Sequence, residues 1–457
     1  MLESEAPDKI YEKDVNPARL IAVKILNRLE RSGSYIDKLV DFELNSGNLS
    51  DLDKALLQEI VYGVTRWKSK LDWVLIGFFH GDFQKCFNYV KNALRIGLYQ
   101  ILYLDKVPNS AAIDEAVEIV KRKQGKKTAG LINGVLRNIA RNVENIRYPK
   151  ENEDRAFYIS VMESHPKWMV SKWVARFGEE DAVKLLKKNN EIPQQTIKLN
   201  PLKITRDEIF QLFKEHNVDY LESEFIEGSI KILTTKIKMQ KTDLFKDGKI
   251  TIQDTSATLA AKLLGVKEGE RVLDLCAAPG GKTSQFAEDS NGKGEIVAVD
   301  LFEARVNLIN ENIKRLGYKN VTAITSDIRN LEVQGEFDAV QVDVPCSGVG
   351  TISKKPDIKW SFERENLLKL SKIQLEFLEK AASYVKVGGR VVYSTCTIET
   401  EENEDVIVKF LEKNKNFELD KAENYLNEKV CSNGMMQTFP HIHNTDGAFA
   451  ARLKRVK

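Results

Sequence analysis

Two cysteines and one acid carry the chemistry this sequence could do. Asp343-Val344-Pro345-Cys346-Ser347-Gly348 follows one apolar run, and Ser394-Thr395-Cys396-Thr397 follows another. A thiolate is a strong nucleophile, and a carboxyl group or second thiol beside it can move the protons that a covalent step requires. Of the five cysteines, Cys86 and Cys431 read as small apolar side chains. No C-x-x-C pair suggests zinc, and cysteines this scattered suggest no disulfide framework.

A third stretch says what the thiols would work beside. Arg271-Val272-Leu273-Asp274-Leu275 reads as a buried strand, and Cys276-Ala277-Ala278-Pro279-Gly280-Gly281-Lys282-Thr283 as the glycine turn and helix start after it. Free N–H groups at such a helix start favour an anionic or electron-rich ligand. A phosphate loop needs a glycine where Cys276 stands, and a dinucleotide turn needs G-x-G-x-x-G, which is absent. The methyltransferase form of the turn, which holds the methionine part of S-adenosylmethionine, also needs an acid ending the next strand to take the ribose hydroxyls. Asp300, closing Glu295-Ile296-Val297-Ala298-Val299, lies at about the 20-residue spacing known from dinucleotide folds.

Two thiols and an acid beside a methyl donor suit methylation of a pyrimidine at carbon-5. That carbon is a poor nucleophile until a thiolate adds at carbon-6 and makes the ring an enamine. The acid supports the addition at the ring edge, and a second cysteine can assist release of the product. The base must leave its stack and enter a pocket. Spacing alone leaves open which cysteine attacks. It also leaves open two other classes: a nucleotide hydrolase using Gly281-Lys282-Thr283, and an RNA-binding or assembly factor with idle cysteines.

The elements that must position these residues follow from periodicity. From Gln253 onward strands and helices alternate, predicting a mostly parallel sheet covered on both faces. Strands are expected near 271–275, 295–300, 320–325, 337–343, 389–395 and 448–453, with helices near 255–264, 281–288, 303–316, 364–386 and 402–413. Asp274, Asp300, Asp327 and Asp343 then fall at or just past strand ends, where ligands bind. Residues 17–142 show helical periodicity throughout, with Ser110 a candidate cap and Lys121 to Lys127 a basic break between helices. Arg147 to Asp154 reads as a connection. Between about 164 and 250 come two helices and a small α+β segment, whose lysines 198, 203, 231, 236, 238 and 241 permit RNA contact.

The chain has 457 residues and a net charge of +2, so any nucleic-acid surface must be a local patch. Met1 to Asp14 is polar with no apolar signal core, and no apolar run is long enough to span a bilayer. A reduced, cytoplasmic protein is expected.

The motifs Asp274 to Thr283, Asp343 to Ser347 and Ser394 to Thr397 closely resemble those of RNA cytosine-5 methyltransferases. Lys354-Lys355-Pro356-Asp357-Ile358-Lys359-Trp360 and Asp446-Gly447-Ala448-Phe449-Ala450-Ala451-Arg452-Leu453 are similar to further motifs of that family. The front half, with Asn133-Gly134-Val135-Leu136-Arg137, resembles a NusB-type helical domain, and the pairing is that of the RsmB (Sun/Fmu) branch, whose substrate is small-subunit ribosomal RNA. The resemblance implies a multidomain protein: an all-α NusB-like bundle (1–145), linker helices with a small α+β RNA-binding segment (146–250), and an α/β Rossmann-like methyltransferase domain (251–457). It implies Cys396 as nucleophile, Cys346 in product release and Asp343 beside the reacting groups. It also implies S-adenosylmethionine held by Cys276, Ala277, Ala278, Pro279, Gly280, Gly281, Lys282, Asp300, Asp327 and Asp343. Val344 and Ala448 depart from the alanine and aromatic usual there, which bears on pocket shape and not on reactive groups. Lys354, Lys355 and Lys359, which follow the Pro-Cys strand end, are expected on backbone phosphate. No metal is expected.

Overall fold

The computed structural model describes residues 15–234 and 238–457, so the acid-rich stretch 1–14 and Lys236 lie outside the described residues. It comprises two compact units. One holds the chain up to Glu191 together with Lys355–Ser361; the other holds Ile192–Lys354 and Phe362–Lys457. Among the described residues no helix is long and apolar enough to cross a membrane.

The first unit is all-α: Pro17–Ser32, Ile36–Asn45, Asp51–Arg66, Lys68–Phe78, Asn88–Tyr103 and Asn109–Arg141, then Arg155–Met162, Lys167–Phe177 and Glu179–Asn189. Apolar faces of the first six helices meet in one core that includes Ala22, Leu26, Leu57, Ile60, Val64, Leu94, Leu98 and Leu136. Asn16 and Ser50 cap two of the helices through their side chains. Ser110 does not cap its helix, which starts at Asn109 directly after Pro108. The basic break is real in the backbone. Gly125, at φ 79° and ψ 173°, interrupts Asn109–Arg141 in a conformation that suits glycine. The unit does not stop near residue 145, because Arg155–Met162 packs back on it, with Phe157 edge-on to Trp73 at 5.6 Å.

The second unit begins with a four-stranded antiparallel sheet, β1 (Gln195–Leu199), β2 (Tyr220–Glu222), β3 (Ser229–Ile232) and β4 (Ile250–Ile252), in the order β2-β3-β1-β4. Helix Arg206–Glu215, with a capping box between Thr205 and Glu208, covers it through Ile209 and Phe213. Three of the lysines that permit RNA contact are engaged within the protein here. Lys198 is buried on Glu288, Lys203 donates to the carbonyls of Asp247 and Arg315, and Lys231 donates to the carbonyl of Asn444.

The larger sheet has nine strands. They are β5 (Arg271–Leu275), β6 (Glu295–Asp300), β7 (Val321–Thr325), β8 (Phe337–Asp343), β9 (Val385–Thr395), β10 (Phe417–Leu419), β11 (Cys431–Ser432), β12 (Met435–Thr438) and β13 (Ala448–Arg455). The order is β11-β12-β13-β9-β8-β5-β6-β7, with β10 on the edge of β13. β7, β6, β5, β8 and β9 run parallel; β13 turns the sheet antiparallel. Alternate residues feed two cores, as the twofold strand period requires. Leu273, Val297, Val340 and Tyr393 face helices Glu365–Ser383 and Glu404–Lys413. Val272, Ile296, Ala339 and Val392 face Thr255–Leu264, Gly281–Asp289 and Glu303–Leu316. All six strands expected from the sequence are present; β10 to β12 were not anticipated.

Candidate active site

The central parallel strands end on one side of the sheet, and their loops make the site. After β5 the chain turns at Cys276 (φ 61°) and Gly280 (φ 95°) before helix Gly281–Asp289 begins. At Gly280 a Cβ would stand 3.3 Å from Ile309, so both the backbone angle and the packing favour glycine. Asp300, at the end of β6, accepts the Ala278 N–H through Oδ2 at 3.1 Å and so fixes the turn. Its Oδ1 makes no hydrogen bond among the described residues, although Arg305 lies 3.3 Å away as an ion pair. A buried acceptor without a hydrogen-bond donor, beside a turn opened by glycine, fits a ribose hydroxyl and a small electron-rich ligand. The residues therefore fit S-adenosylmethionine.

Lys282 does not wait for a phosphate: its ammonium donates to Asp343 Oδ2 at 2.6 Å. Burial opposes its charge, but the Asp343 carboxylate outweighs that and raises its pKa overall. Asp343 Oδ1 accepts the Ser394 hydroxyl at 2.7 Å, which joins the ends of β8 and β9. Asp274, Asp300 and Asp343 are gathered close enough to be felt at Cys276, and the lysine a phosphate loop would need is already taken by Asp343.

The two cysteines meet. Cys346 Sγ and Cys396 Sγ are 3.1 Å apart, both free thiols, and the Cys396 N–H points at Cys346 Sγ at 3.3 Å. Cys396 is exposed; Cys346 is half-buried. The hydrogen bond to Cys396, and then burial, push the Cys346 thiol well above its ordinary pKa. The Cys396 carbonyl accepts from the Gly350 N–H at 3.1 Å, where a side chain would overlap the main chains of Gly447 and Cys396.

Comparison with known proteins gives the family. Residues 261–454 match the family described as 16S rRNA methyltransferase RsmB/F, residues 16–141 the NusB family, and residues 165–239 the RsmF/B-like ferredoxin-like domain. The chain is 38% identical to a probable ribosomal RNA small subunit methyltransferase B of Bacillus subtilis, over 96% of this chain and 98% of that one. It belongs to the RsmB family. The ribosomal RNA small subunit methyltransferase B of Klebsiella pneumoniae is 33% identical over 97% of this chain and 99% of its own length. The crystal structure of PH0851 superposes with a TM-score of 0.79 at 27% identity, covering 96% of this chain and 99% of that one. An S-adenosylmethionine-dependent methyltransferase fold with helical and ferredoxin-like parts is thus the family architecture.

Within this RsmB-family site the expected residues are not all placed alike. Cys276 is half-buried, and burial with the nearby carboxylates pushes its thiol up to about 12, so it lines the turn without being reactive. Asp327, just past β7, is held by its neighbour Arg329, which lowers its pKa by hydrogen bonding. Two of the three lysines expected on phosphate need correcting. Lys354 donates to Asp254 Oδ2 at 2.8 Å and Asp446 Oδ2 at 2.6 Å, fastening the loop beyond Cys346 to the start of Thr255–Leu264 and to the 444–447 loop. Lys359 is fully buried in the helical unit, donating to Arg66 O, Ser164 O and Asn190 Oδ1 at 2.7, 2.9 and 3.0 Å. Only Lys355 is exposed.

The sequence reading missed Glu402 and Asn403, both fully buried beneath the cysteines. Glu402 stands among Glu399, Glu401 and Glu404, and such a run at a helix start reads as a solvated first turn. The one signal was its place six residues after Cys396.

Proposed function

We propose that this chain methylates carbon-5 of a cytosine in 16S ribosomal RNA, through a covalent link between Cys396 and carbon-6 of the base. The observation that carries the reading is the pair of free thiols 3.1 Å apart at the ends of adjacent parallel strands, the more exposed being Cys396. When bound, S-adenosylmethionine supplies an electrophilic methyl group. Cys276 to Lys282 and Asp300 would hold it, with Asp327 further along the same edge.

The Cys396 thiolate adds to carbon-6, and the electron pair released into the ring makes carbon-5 nucleophilic. Lys282, close enough for its charge to be felt at Cys396, and Asp343 form an ion pair beside the reacting ring, where Asp343 hydrogen-bonds the base edge. After the methyl group arrives, solvent water at the exposed Cys396 side of the cleft takes the carbon-5 proton, the carbon-5–carbon-6 double bond re-forms and Cys396 departs as thiolate. Cys346, whose raised pKa keeps it protonated and whose sulfur lies 3.1 Å from that of Cys396, would give the leaving sulfur a proton and regain one from solvent. Lys355 is our candidate for a backbone phosphate contact near the target.

The test is transfer of labelled methyl from S-adenosylmethionine to rRNA fragments, with mapping of the modified base and denaturing gels for protein–RNA adducts. Cys396→Ala is expected to give neither product nor adduct, and Cys346→Ala to accumulate adduct. The reverse pattern would assign the attack to Cys346, and methylation of tRNA alone would move the substrate.

A further inference from the structure

Each cysteine is held by its flanking residues, and both sets of flanks lead to one dipeptide. On the Cys346 side, the Ser347 N–H donates to Glu402 Oε1 at 2.8 Å and the Ser347 hydroxyl to Oε2 at 2.5 Å. Gln374 Nε2 binds the Pro345 carbonyl at 3.0 Å and Glu402 Oε1 at 2.9 Å, so the residues before and after Cys346 both tie to the Glu402 carboxylate. On the Cys396 side, the Thr395 hydroxyl donates to Asn403 Oδ1 at 2.7 Å, and Asn403 Nδ2 donates to the Thr397 carbonyl at 3.0 Å. The Tyr393 hydroxyl fixes the Glu402 carbonyl at 2.5 Å, and the Ser347 and Thr397 hydroxyls close the circle at 2.9 Å.

Glu402, Asn403, Gln374, Tyr393 and Thr397 are all fully buried. Burying a carboxyl group is costly unless its oxygens are satisfied, and here three donors reach it. Asn403 precedes helix Glu404–Lys413 at φ −113°, ψ −103°, yet its side chain does not cap that helix; it grips the two threonines instead.

We infer that Glu402 and Asn403 are positioning residues, a buried gauge that sets the separation of the two reactive sulfurs. Glu402 registers Cys346 and Asn403 registers Cys396. Neither touches substrate; they act through the loops that carry the thiols. A displacement of about 1 Å at a reacting atom can cost about a hundredfold in rate, so the gauge belongs to catalysis as much as to folding.

Glu402→Gln keeps the size of the side chain but replaces one acceptor oxygen with a donor amide facing donors. Iodoacetamide labelling of the full-length variant, mapped by mass spectrometry, is expected to modify Cys346 about ten times faster than in the wild type. Cys431, outside the site, serves as the unchanged control. The catalytic readout rests on the cysteine roles proposed above: Glu402→Gln is expected to accumulate adduct as Cys346→Ala does, with affinity for S-adenosylmethionine within about twofold of wild type. If Glu402→Gln does not fold, Ser347→Ala, which removes only a hydroxyl from the same carboxylate, is read the same way. Unchanged Cys346 labelling in a folded variant overturns the gauge, as does loss of activity accounted for by cofactor affinity and melting temperature alone. If Cys346→Ala itself forms no adduct, the cysteine roles fail while labelling still judges the positioning.

Discussion

Surroundings divide three cysteines of one cleft into three roles. Cys276 is kept a thiol by burial and carboxylates, Cys346 by its bond to the neighbouring sulfur, and Cys396 is the one that reaches solvent. Their presence in one cleft was legible, because each follows an apolar run and parallel strands deliver such positions to one edge. Their mutual distance was not, since it depends on Glu402 and Asn403 reaching across from a third segment. Asp274 offers a measurable consequence of the same crowding. It is fully buried, its Oδ2 takes the Thr283 hydroxyl at 2.5 Å, and its Oδ1 has no hydrogen-bond partner among the described residues. Burial pushes its pKa up to about 7, with Lys282, Asp343 and Asp300 as the charged neighbours. Against about 3.9 in the unfolded chain, the folded protein holds an extra proton between about pH 4 and 7, so this group makes stability fall as pH rises through that window. Asp274→Asn should remove the slope, which is about 1.4 kcal/mol per pH unit at its steepest. Urea unfolding without cofactor at several pH values checks it; parallel curves for wild type and variant would refute the assignment.

At the scale of elements, the central strands Arg271–Leu275, Glu295–Asp300 and Phe337–Asp343 were read from period and terminal acids because both of their faces are buried, and a two-sided core writes a near-continuous apolar run. The strands β10, β11 and β12 are two to four residues long, too short for any period to register. The loop after Cys346 was misread for a different reason. Three lysines in six residues look like a phosphate-binding cluster, yet a lysine side chain is long enough to reach inward, and two of the three do so. Lys355 alone is exposed, so the phosphate expectation narrows to one position. Lys355→Glu is expected to weaken RNA binding at low salt and to reduce the salt dependence by about one ion. Lys354→Glu would instead place a third carboxylate beside Asp254 and Asp446 and damage the loop. Equal salt slopes for wild type and Lys355→Glu, measured by filter binding from low to high salt, would remove Lys355 from the interface.

For the whole molecule, the segment Lys355–Ser361 belongs to the helical unit although the chain on either side of it belongs to the other. Periodicity could not show this, because it describes neighbours along the chain and this is a partnership between residues about 300 apart in sequence. Trp360 Nε1 donates to Thr65 O at 2.7 Å and Asp357 Oδ2 accepts the Ile36 N–H at 3.3 Å. Between them the Lys359 ammonium, buried to the point that its pKa falls well below the ordinary lysine value, supplies a donor to each of three acceptors. These acceptors come from the end of Asp51–Arg66, the turn before Lys167–Phe177 and the end of Glu179–Asn189, so one side chain ties three helical segments. Lys359→Met keeps the apolar stem and orphans all three acceptors. Leaving a buried polar group unpaired costs about 1–3 kcal/mol, partly offset here because a buried charge is also removed. The helical unit is therefore expected to lose about 3 kcal/mol, read from the urea transition in far-ultraviolet circular dichroism of the full chain. Lys359→Arg, whose planar guanidinium fork cannot present its donors to the three acceptors as an ammonium does, should not restore the loss. A change under about 1 kcal/mol in Lys359→Met would mean that the ammonium is incidental, and that Trp360 and Asp357 alone hold the segment in the helical unit.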